Sequence, residues 1–112
     1  MNIKLPLDQD KKLCVTFRLE PGCMGPQGME HIEAFCQLAQ KKVNETDTEF
    51  VEWTIVPRHD KTLPEIEYRL NNKRLSHEKA VKYLNMFEKN LDEFEENLQD
   101  KLAVYIDDYL GQ

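Results

Sequence analysis

Glycine is scarce in this chain, with 4 in 112 residues beside 5 prolines and 1 tryptophan. That excludes a linker-like or low-complexity polymer, whose composition cannot bury enough apolar surface to order itself. No apolar run approaches the ~18 residues that a membrane span requires, so no membrane partner is expected. The opening residues 1–8 hold neither a long apolar stretch nor a small-residue cleavage site. A secretory leader is therefore not expected, and a cytoplasmic location is. The three cysteines, Cys14, Cys23 and Cys36, form no CxxC pair, which reads as reduced cytosolic thiols. His31, His59 and His77 are isolated, with no His-x3-His or His-Glu-x-x-His spacing. No metal and no cofactor is expected from them.

Basic excess is missing as well. Residues 1–87 carry 13 acids and 13 bases, whereas residues 88–112 carry eight acids against Lys89 and Lys101. The net charge of −6 thus belongs to the last 25 residues. Such a surface repels phosphate backbones, so no nucleic acid is expected there. It reads either as a solvated helix face or as a docking surface for a partner protein with a basic surface.

What is present reads as a single α+β domain over residues 1–112. Residues 12–20 alternate strictly, with Leu13, Val15, Phe17 and Leu19 on one side; period 2 marks a half-buried strand. Residues 21–28 hold three of the four glycines and two of the five prolines, and so form a loop. From Met29 the period changes. Ile32, Phe35, Cys36 and Ala39 recur three or four apart, opposite Glu33, Gln37, Gln40 and Lys41. This is an amphipathic helix of about four turns.

Residues 49–57 read as a second strand, in which Phe50 and Val56 break the alternation and suggest a central strand or a partly covered outer face. A proline-bounded turn leads to a third strand over 65–70. Asn71 and Asn72 suit a tight turn into a short fourth strand. From His77 to Leu110 there is neither glycine nor proline. Ser76 is placed to cap that segment, and Ala80, Leu84, Phe87, Leu91, Phe94 and Leu98 form a heptad seam. Residues 77–110 are expected to be one long acidic helix, continuous or kinked near 90, where Asn90 and Glu93 resemble a capping box, in preference to two separate helices. The expected fold is a small antiparallel sheet in β-α-β-β-(β)-α order with helices on one face.

Two segments hold the candidate chemistry. Gly22, Gly25 and Gly28 lie between a strand and a helix, where exposed amides attract anions. Cys23 sits among them ahead of His31, and a thiol near a helix start with a base beside it is the arrangement of a nucleophile. Pro26 removes an amide from the cradle, and Glu30 and Glu33 would oppose a thiolate. A thiol-dependent enzyme or anion binder is thus the alternative reading.

The other segment is the C-terminal seam. Sheet strands of five to seven residues span only about 17–23 Å, roughly half of a 34-residue helix. The remainder, with Leu91, Phe94, Leu98, Leu102 and Tyr105, needs another surface. Twofold pairing is the commonest source of one. The sequence therefore predicts a non-enzymatic protein acting through protein–protein contact, with a homodimer expected through those five residues.

Overall fold

The computed structural model describes residues 5–111; the expectation placed on the chain's opening residues falls partly outside that range. Two compact units follow one another, the first running to Arg74 and the second starting at Leu75. The class is α+β.

In the first unit, β1 (Leu13–Leu19), α1 (Gly28–Val43), β2 (Val51–Pro57), β3 (Ile66–Leu70) and β4 (Lys73–Arg74) build a four-stranded sheet in the order β2-β1-β3-β4. The alternation of β1 survives intact. Leu13, Val15, Phe17 and Leu19 are buried while the residues between them are half-buried. Val15 lies between Trp53 and Tyr68 in register, which puts the buried residues of three strands on one face. α1 packs against β2, and its Ile32, Phe35, Cys36, Ala39 and Val43 are all buried.

The sheet is mixed rather than wholly antiparallel. β1 and β2 run parallel, from Leu13 beside Val51 to Leu19 beside Pro57. Parallel neighbours need a long crossover connection, and the 16 residues of α1 supply it. β2 is an edge strand, which rules out the central one of the two readings of Phe50 and Val56. The β3–β4 turn follows expectation: Asn71 (φ 52°) and Asn72 (φ 65°) both take the left-handed conformation of a type I′ hairpin.

In the second unit the expected long helix is broken in two, α2 (His77–Asn85) and α3 (Leu91–Leu110), which pack on each other. Ser76 caps α2 by accepting from Lys79 N at 3.3 Å. The break is made by hydrogen bonds. Lys89 N donates back to Leu84 O at 2.9 Å across Glu88, whose φ is 60°, a Schellman-type helix end. Asn90 then starts α3, its side chain accepting from Glu93 N at 3.1 Å. A Schellman-type stop followed at once by an Asn cap ends one helix and starts the next.

Candidate functional site

The glycine-rich segment is a 3-10 turn over Pro21–Met24 running into α1. Three of its amides are engaged locally. Gly25 N donates to Gly22 O at 3.2 Å, Gly28 N to Gly25 O at 3.0 Å, and Cys23 N to Glu20 O at 3.0 Å. An anion would have to displace those carbonyls. Two of the glycines have conformational reasons to be there. Gly25 has φ 89°, and a Cβ on Gly28 would stand 1.7 Å from Pro21 O. The segment thus holds the start of α1 against the turn before it. Cys23 is exposed and His31 half-buried.

The other two thiols are poor nucleophiles at neutral pH. Burial, reinforced by Glu33, pushes Cys36 up to about 11. Cys14 is also raised, mainly by burial and then by its hydrogen bond to Glu52 Oε2 at 3.4 Å. Only the thiolate attacks, so a thiol chemistry in this fold would fall to Cys23. Among the described residues no group of three His, Cys, Asp or Glu side chains converges as a metal site. No helix among them is long and apolar enough to cross a membrane.

On the outward face of the sheet, charged side chains pair with one another. Glu67 is buried (5% exposed) beside Thr16 and is shared by two arginines. Arg18 reaches it at 3.5 Å and Arg69 donates to it through Nε. The hydrogen bond from Arg69 is the main force holding the Glu67 carboxyl below its ordinary range. Burial opposes that, and the charges of Arg69, Arg18 and Arg74 add to it. Arg18 also donates to Pro64 O at 2.8 Å, and Glu20 pairs with Arg58 at 3.1 Å.

Between α1 and β2 runs a groove of about 530 Å3, lined by Cys36, Gln37, Gln40, Ile55, Val56 and Pro57 with Glu33, Lys41 and His59 among its borders. Nothing in the residue pattern marks it, because Gln40 belongs to the polar side of α1 by periodicity. Its amide in fact bonds the outer backbone of β2.

The C-terminal helix divides at Leu102. Leu91, Phe94, Leu98 and Leu102 are buried, leaving Tyr105 as the one half-buried member of the expected interface. Among the described residues past Leu102 none is buried, although Val104, Tyr105, Ile106, Tyr109 and Leu110 follow; Val104 is 55% exposed. At about 100° per residue, Glu96, Asp100 and Asp107 stand opposite the buried seam. Ala103, Ile106 and Leu110 form a stripe between the two. The sequence carried a signal for this in Ala-Val-Tyr-Ile over 103–106, since four consecutive apolar residues cannot all share one seam. No protein-family model, curated protein or solved structure matches this chain.

Proposed function

We propose that this chain is a non-enzymatic interaction protein whose partner docks on the last two turns of α3. One observation carries the reading: burial stops at Leu102 while apolar residues continue to Leu110. A helix end of that composition stays wet only at the expense of exposed apolar area. The loop over residues 22–31 supports the alternative less well, because the amides of Gly25 and Gly28 are already engaged.

The test is an NMR titration of the labelled chain against itself, from low micromolar to millimolar, with molar mass by light scattering at low and high salt. Concentration-dependent shifts confined to residues 103–110, abolished by Ile106→Asp, identify a second copy as the partner. If neither the chain nor a charged amphipathic peptide perturbs those residues, the reading falls. Fast alkylation of Cys23 with a thiol pKa well below the free value of about 8.5 would instead favour the thiol reading.

A further inference from the structure

We infer that the stripe of Ala103, Ile106 and Leu110 receives a basic amphipathic helix, an inference that rests on the reading of α3 just given. The apolar stripe and the acidic ridge are adjacent on the same helix. Glu96, Asp100 and Asp107 are all exposed; Asp107 borders the stripe on its outer side, and Asp100 and Glu96 continue that line about one and two turns before Ala103. A helix laid into that stripe brings its own flanking positions over the ridge, as the residues flanking a coiled-coil seam do. Lysine or arginine there meets carboxylates; glutamate or aspartate meets repulsion.

The same charges argue against the other occupants. A second copy would set two such ridges side by side, each from a segment with eight acids and two bases, and like charges across an interface cost affinity. A nucleic acid or an anionic lipid surface would be repelled for the same reason. The last turn of α3 holds no basic residue to relieve this.

The stripe is short, about 11 Å from Ala103 to Leu110 at 1.5 Å per residue. Contact over two or three turns places the complex among weak, salt-sensitive encounters rather than permanent ones. Steering by the acidic end speeds its formation.

The experiment uses the whole chain, labelled for NMR, and three synthetic peptides of about 18 residues (five turns). One is a leucine–lysine amphipathic helix, the second has the same composition scrambled, and the third replaces each lysine by glutamate. The expected result is saturable shifts at residues 96–110 with the first peptide only. They should weaken about tenfold as salt shortens the Debye length from about 10 Å at 0.1 M to about 3 Å at 1 M. Ile106→Ser and the charge reversal Asp100→Lys should each weaken binding about tenfold. Asp100 is exposed, so its variant keeps the test open if Ile106→Ser fails to fold.

Equal binding of the scrambled peptide, or shifts spread over other surfaces, overturns the inference. Self-association through Ile106 without peptide binding also overturns it, while leaving α3 an interaction surface. Silence toward both the chain itself and the peptides removes both readings.

Discussion

Gln40 stands beside Ile55 as a neighbouring strand would. Its side-chain Oε1 accepts from Ile55 N at 2.8 Å while its Nε2 donates to Trp53 O at 2.8 Å. The even-numbered residues of β2 face β1, as Arg58 N donating to Leu19 O shows at the strand's end, so Trp53 and Ile55 turn their backbone outward. An edge strand with open backbone groups is a template for pairing with another chain. Here one helix side chain closes two of those groups, Asp47 O takes Val51 N at 2.9 Å, and Pro57 has no N–H to offer.

Gln40→Ala should therefore destabilise the chain by about 1–3 kcal/mol, read from chemical denaturation. It should also raise light scattering on concentration, since the edge of β2 is opened. Gln40→Glu keeps the acceptor for Ile55 N but sets a carboxylate against Trp53 O, so it should recover less than half of the loss. A Gln40→Ala variant as stable and as monodisperse as the parent would show that the edge needs no cover.

Gly28→Ala should cost about 3 kcal/mol, because the new methyl would sit 1.7 Å from a backbone oxygen that cannot swing aside. Gly22→Ala, with nothing within 4 Å of its Cβ position, should stay within about 0.5 kcal/mol of the parent. Thermal melts of the pair separate a packing constraint from a mere preference for glycine in the loop.

Glu67 should make the fold acid-sensitive. Its carboxyl is held below its ordinary range in the folded chain, first by Arg69 and then by the surrounding charges. A depressed folded pKa gives stability that is complete above the unfolded value of about 4.3. That stability is lost as pH falls through the folded value. Denaturation midpoints of the parent should drop below about pH 4.3, and Glu67→Gln should flatten that slope. At neutral pH the same substitution should cost about 1–2 kcal/mol. Arg69 is 47% exposed, so water screens part of its share. An unchanged acid limb in Glu67→Gln would assign the acid sensitivity elsewhere.

The turn between α2 and α3 offers changes in opposite directions. Glu88→Gly should stabilise by about 0.5–1 kcal/mol, because a side chain at φ 60° carries strain that glycine lacks. Asn90→Ala should destabilise by about 1 kcal/mol through loss of the bond from Glu93 N. Urea denaturation of both variants checks the sign, and a stabilising Asn90→Ala would mean that the two helices prefer to fuse.

The sequence revealed faces better than neighbours. Alternation in β1 and the 3.6 period in α1 report which side of each element is apolar, and both sides are placed as read. Alternation carries no record of which strand lies alongside, so the parallel pairing of β1 with β2 was hidden. So was the edge position of β2, whose Phe50 and Val56 mimic a buried strand. At 86–90 the capping pattern of Asn90 and Glu93 was visible. The stop at Glu88 was not, since glutamate has no preference for positive φ. Of the candidate site, the acidic face of α3 and its apolar seam were legible. The point where burial ends was not, because it depends on how much surface the rest of the chain supplies.

β1 is bracketed by partners that are both made after it. Its parallel neighbour ends at Pro57 and its antiparallel one at Leu70. At a synthesis rate of about 5–20 residues per second, the most apolar strand of the sheet spends about 2–8 s with both flanks unpaired and about 3–10 s before the second is covered. The alternation that makes β1 easy to recognise also makes it adhesive during that interval. The order in which the ribosome delivers these strands thus sets a demand on the cell: shelter for residues 13–19 until the third strand arrives.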